Sequence, residues 1–189
     1  MDVTTNYTDL FGNMIPFEQA QLIDKYIKQI YINDVHVKDE LYTSEGLKGV
    51  YYFVDSLLEI SNILNEDNNA SFLYTYFQNG YKIVESLSYK ESVLSYKVVT
   101  IYIGDNDICT AKYDVLQNVP INIEKFLYDS NNELQYTFTY DTSGNCVMIY
   151  DNQQDQADIL PHTIGSPNQF FSWSGKEYYK YAIPIIPKN

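Results

Sequence analysis

A run of turn signals set between short alternating apolar segments constrains this chain more than any other feature. From about residue 70 the apolar period falls toward two, and Asn/Asp/Gly clusters recur at short intervals. Val93 to Ile103 and Ile108 to Val115 flank Gly104-Asp105-Asn106-Asp107. From Pro120 a meander is expected with strands at about 121–128, 133–140 and 146–151, separated by Asp129-Ser130-Asn131-Asn132 and Asp141-Thr142-Ser143-Gly144-Asn145. Asp and Asn bond their own backbone and Gly takes positive φ, so such clusters reverse a strand without strain. Asn79-Gly80 suits a type I′ hairpin, although Gly80 could equally cap a short helix over 70–79; the hairpin is slightly favoured. A polar loop over 152–169 and a last strand near 177–186 complete this half, with Pro184 and Pro187 placing that strand at an edge.

Upstream the apolar spacing differs. Phe17, Ala20, Ile23, Ile27 and Ile30 stand three and four apart behind Pro16, and Leu47, Val50, Tyr51, Val54, Leu57, Leu58 and Leu64 do so behind Ser44. Amphipathic helices are therefore expected over 16–33 and 44–66. Gly46 and Gly49 weaken the second locally or allow close approach of another element. The expectation is a single α+β domain over 1–189, two N-terminal helices packed on an antiparallel, meander-rich sheet.

Charge narrows the partners. Twenty-five acidic residues face twelve basic ones, a net charge of −13, and every basic residue is Lys. Without Arg, bidentate recognition of phosphate or base edges is lost, which argues against nucleic acid or an anionic membrane and for a basic protein partner. Between Lys125 and Lys176 lie Asp129, Glu133, Asp141, Asp151, Asp155 and Asp158 with no Lys among them. In that stretch Asp151, Asp155 and Asp158 are expected to steer a partner and Trp173 to anchor it, with Phe170, Asp105 and Asp107 as further contacts. The polar, acidic start of the chain lacks the pattern of a secretory signal, and no apolar run approaches a membrane span, so a cytoplasmic location is expected.

Tyr128-Asp129, Tyr140-Asp141 and Tyr150-Asp151 resemble the YD repeat of large Rhs-type bacterial toxin shells. The likeness covers residues 128–151 alone and is read as shared hairpin chemistry, because a shell needs many more repeats. In overall character the chain is similar to the immunity proteins of polymorphic bacterial toxins: small, very acidic, rich in Asn and Tyr, without a catalytic motif. That resemblance implies a non-enzymatic inhibitor that occludes the active site of a basic, nuclease-type toxin. The alternatives are a small-molecule-binding domain resembling nuclear transport factor 2 folds, with an aromatic pocket, and a sugar-binding module built on the aromatics of 170–179.

Catalytic and metal chemistry find little footing. His36 and His162 are isolated in sequence, and Cys109 and Cys146 lack metal or redox spacing, so neither metal nor cofactor is expected and the cysteines read as reduced core residues. Asp105-Asn106-Asp107 has the form of a DxD cation motif but fits a solvated hairpin tip. Asp129 starts like a calcium loop, yet Leu134 and Tyr140 occupy the positions that need Gly and an acid.

Overall fold

A computed structural model describes residues 1–153, 158–167 and 170–188. Eleven strands follow chain order across one sheet: β1 (Val3–Thr8), β2 (Lys25–Ile32), β3 (Val35–Thr43), β4 (Gly46–Val54), β5 (Ser71–Gln78), β6 (Tyr81–Lys90), β7 (Val93–Ile103), β8 (Asn106–Asp114), β9 (Val119–Tyr128), β10 (Leu134–Tyr140) and β11 (Cys146–Asp151). β4 and β5 run parallel, joined by the helix α2 (Leu57–Glu66), and a helical turn α1 (Phe17–Ala20) lies between β1 and β2. The sheet is therefore mixed, and the two long N-terminal helices are not formed.

Each miss has a local cause. Over 16–33 Ile27 and Ile30, spaced for one helix face, fall on opposite faces of β2, which is half-buried on both, and β-branched Ile favours a strand. The strand then reverses at Asn33-Asp34, both at positive φ (48° and 64°), the geometry of a type I′ turn without a glycine. Over 44–66, Gly46 has φ 102° and opens β4, and Ser44 donates its N–H to the Asp24 carbonyl instead of capping a helix. The true cap is Ser56, whose hydroxyl accepts from the Glu59 N–H while Glu59 accepts from the Asp55 N–H. The S-x-x-E pattern at 56–59 marks that helix start.

The downstream expectations fare better. Asn79-Gly80 turns β5 into β6 with φ 54° and 84°, Gly104 turns β7 into β8, and the meander strands fall within two residues of their expected limits. The expected strand near 177–186 is instead an irregular strap, with a 3₁₀ turn at Glu177–Tyr179 and one bridge from Tyr181 to Asn145. Prolines remove N–H groups that a ladder would need.

The chain divides into two compact units, residues 1–75 with 86–95, and residues 76–85 with 96–189. In the first, Ile60 of α2 packs on Val54, Ala70, Phe72 and Leu87. In the second, cross-strand register lines up Ile101, Cys109, Lys125, Phe138 and Ile149 across five strands, and all five are fully buried. The strap covers this row.

Lys125 has no business in an apolar row unless its charge is met, and the strap meets it. Its Nζ donates to the carbonyls of Tyr178, Tyr181 and Pro184 at 2.7, 2.8 and 2.9 Å and lies 3.7 Å from the Tyr178 ring centroid. Tyr140 Oη donates to the Tyr179 carbonyl at 2.7 Å. A strap without a ladder leaves carbonyls in need of donors, and one ammonium supplies three. Burial pushes the Lys125 ammonium down to about 8.

The turn at Asp141 shows what the Asp clusters do. Its Oδ1 accepts from the N–H groups of Ser143 and Asn145, both at 2.9 Å. Asp141→Ala should lower stability by about 1 kcal/mol, since both N–H groups can turn to water. Urea denaturation with an unchanged slope would confirm a loss of stability without a change of fold.

Candidate functional site

The second unit carries an open cleft of 520 Å³ between the β7–β8 turn and the β9–β10 turn. Its floor is Ile108, Leu127 and Tyr179; half-exposed Ile103 stands at its rim with Asp105, Asn106, Asp129 and Asn132. The turns position that rim. Gly104 takes φ 58° and leaves Asp105 exposed at the tip, while Asn106 Nδ2 donates to Asn132 Oδ1 at 3.3 Å and ties the two turns together. Asp129 Oδ1 accepts from the Glu133 and Asn131 N–H groups at 2.9 and 2.8 Å, and its Oδ2 accepts from Gln153 Nε2 at 2.9 Å. Those donors, the Glu133 N–H foremost, hold its carboxyl below the ordinary range. The rim is thus anionic above an apolar floor, which suits the stem and charge of a Lys or Arg side chain.

Asp107 faces inward to a different task. Its carboxylate accepts from Tyr128 Oη at 2.6 Å, and burial together with that acceptor raises the Tyr128 phenol well above its usual range. Asp105 and Asp107 therefore do separate work. Among the described residues no three His, Cys, Asp or Glu side chains gather to hold a metal ion.

The other expected contacts are scattered. Asp151, at the end of β11, is half-buried and accepts from the Gln153 N–H at 3.2 Å; Asp158 is exposed; Asp155 lies outside the described residues. Phe170 is almost fully exposed, whereas Trp173 is half-buried against Phe171 and Phe138 at ring distances of 5.1 and 6.0 Å. The Phe171 and Trp173 rings meet at 86°, edge to face, so the 170–179 aromatics do not form the coplanar platform that stacking on a sugar requires. Phe171, Trp173 and Tyr179 close the core over Phe138.

His36 has a partner that its sequence neighbourhood did not advertise. Its Nε2 lies 2.6 Å from Asp39 Oδ1, and the ring sits between Tyr31 and Phe53 at 4.7 and 4.1 Å. A bulge in the β2–β3 pairing, between Ile30 and Tyr31, brings His36 opposite Tyr31. His162 is exposed in a 3₁₀ turn at Pro161–Thr163. Both cysteines are free and buried, and burial pushes each thiol up to about 11, which leaves them unreactive near neutrality.

No family model, curated protein or solved structure matches this chain. No helix among the described residues is long and apolar enough to cross a membrane.

Proposed function

We propose that this chain is a non-enzymatic binding protein that neutralises a basic toxin by occluding its active site, in the manner of the immunity proteins it resembles in character. The observation that carries the reading is the cleft: an anionic rim on an apolar floor, in a chain of net charge −13 that has no Arg. Five of the twelve lysines are buried or already paired. Lys125 is buried, Lys28 and Lys38 share Glu40 at 3.3 and 2.8 Å, Lys97 pairs with Glu85 at 3.2 Å, and Lys48 pairs with Glu45. A cationic protein would be drawn to such a surface and would place a Lys or Arg in the cleft.

The aromatic-pocket alternative requires helices closing one end of a curved sheet. Here α2 spans ten residues, and the cleft is open instead of conical.

The test is inhibition. The product of the adjoining upstream gene, purified and assayed alone, should lose its activity when one equivalent of this chain is added. Asp105→Lys should slow association by roughly tenfold at low salt and flatten its salt dependence, because a rim charge acts mainly on encounter. An unchanged on-rate would remove the cleft from the interface.

A further inference from the structure

One five-residue turn is built three times among the described residues: Asp9–Asn13, Asp129–Glu133 and Asp141–Asn145. In each, the carboxylate of the leading Asp accepts from the N–H of the third and fifth residues: 2.8 and 2.9 Å in the first, 2.8 and 2.9 Å in the second, 2.9 and 2.9 Å in the third. In each, the Asp N–H donates to the fifth carbonyl and the fourth N–H to the Asp carbonyl. The fourth residue takes positive φ: 84° at Gly12, 64° at Asn132 and 82° at Gly144. The backbone and one carboxylate complete the turn, so the side chains at its second and third positions contribute nothing to its geometry.

Two of the copies use those free positions as solvent would dictate, with Ser130-Asn131 and Thr142-Ser143. The first places Leu10-Phe11 there, and Phe11 is 91% exposed. Met14, Phe17 and Leu22 are exposed nearby in sequence. The same turn made twice with polar residues shows that the fold has no need of a Leu-Phe pair at its tip. Asp9, Glu18 and Asp24 stand close to the tip in sequence, and Lys28, which the register sets opposite Tyr7, is paired with Glu40 at 3.3 Å.

We infer that the Asp9–Asn13 turn is the anchor of a docking surface for a basic protein that offers an apolar recess. The inference rests on the basic-partner reading above and locates the buried anchor in the first unit. A turn closed by its own hydrogen bonds presents Phe11 with little backbone left to order on binding, and a large aromatic on such a support is the kind of side chain that dominates an interface. The net charge of −13, with Asp9, Glu18 and Asp24 close to the tip in sequence, selects the sign of the partner. It also opposes a second copy of this chain and an anionic membrane, which both bring more negative charge to the same surface.

The probe is a short amphipathic peptide made only of Leu and Lys, titrated into the 15N-labelled full chain. Shift changes should concentrate on Leu10–Phe17 and Leu22 and weaken with added salt. Leu10→Ser with Phe11→Asn, which installs the residues of the Asp129 turn, should keep the melting temperature and weaken binding by roughly 30-fold. Phe11→Asn alone should give most of that loss. Equal affinity for the double variant overturns the inference, as does a set of shifts confined to the Asp105 cleft; either leaves the basic-partner reading standing. Failure of the peptide to bind anywhere removes both. Self-association or uptake onto phosphatidylcholine vesicles that the double variant abolishes would give the surface a different occupant and overturn the assignment to a basic protein.

Discussion

Lys125→Met should destabilise this protein by on the order of 3–5 kcal/mol, the range found when one partner of a buried charge arrangement is removed. The substitution keeps the length and the apolar stem, so the row Ile101, Cys109, Phe138 and Ile149 can still pack around it. What is lost is the head group. The carbonyls of Tyr178, Tyr181 and Pro184 then have no ammonium to accept from, and each buried orphan costs about 1–3 kcal/mol unless it reaches water. They can reach water only if the strap lifts. The expected result is a chain that melts roughly 6–20 °C lower and whose amides from 177 onward lose hydrogen-exchange protection while those of β7 and β8 keep most of theirs. A melting temperature within 2 °C of wild type, by this same scale, would mean that the strap is held by its rings alone.

That residue also shows where sequence reading stops. Lys125 belongs to the segment expected as a strand over 121–128, whose period of two sets it on one face with Ile123 and Leu127. Nothing local says how an ammonium on that face is met. That depends on a strap more than fifty positions away that brings carbonyls instead of a ladder. The meander itself was legible because its signals are local: Asp129, Asp141, Asn79-Gly80 and Gly104 each dictate backbone angles within a few residues. The N-terminal half misled for a related reason. Its turn at Asn33-Asp34 uses two residues that tolerate positive φ less readily than glycine, so the reversal is silent beside an isoleucine spacing that mimics a helix. The cleft was half visible, since Asp105 stood out as a contact, but Asp129 and Asn132 joined it only through the pairing of β8 with β9 and β9 with β10. The Leu10-Phe11 tip was present in sequence as Asp-x-x-Gly-Asn, a spacing it shares with Asp141–Asn145, and its meaning lies in the comparison of the two.

The same strap should give the protein an unusual alkaline profile. Burial pushes Lys125 down to about 8, whereas in the unfolded chain it titrates near its ordinary 10.5. Between those values the unfolded state binds more protons than the native one, so this residue's contribution raises stability as pH rises through that window. Tyrosine acts in the opposite sense. Burial pushes Tyr179 up to about 12, and Tyr140 and Tyr178 higher still. Below about pH 10 these phenols are neutral in both states and cost nothing; above it the unfolded chain releases protons that the native chain retains, and stability falls. Three such groups together forfeit roughly 4 kcal/mol per pH unit, against a total stability of about 5–15 kcal/mol for a domain. Stability should therefore peak near pH 9–10, by these opposed titrations, and collapse before about pH 12. Denaturant melts across that range, with absorbance at 295 nm to follow phenolate, would read both limbs. Of the 20 tyrosines, the buried set should ionise only with unfolding. In Lys125→Met the rising limb should vanish and Tyr178 and Tyr179 should ionise in the native state near 10, because the strap that buries them is free. Ionisation of all tyrosines in one non-cooperative step near 10 in the wild-type chain would show that the strap does not close over Lys125 in solution.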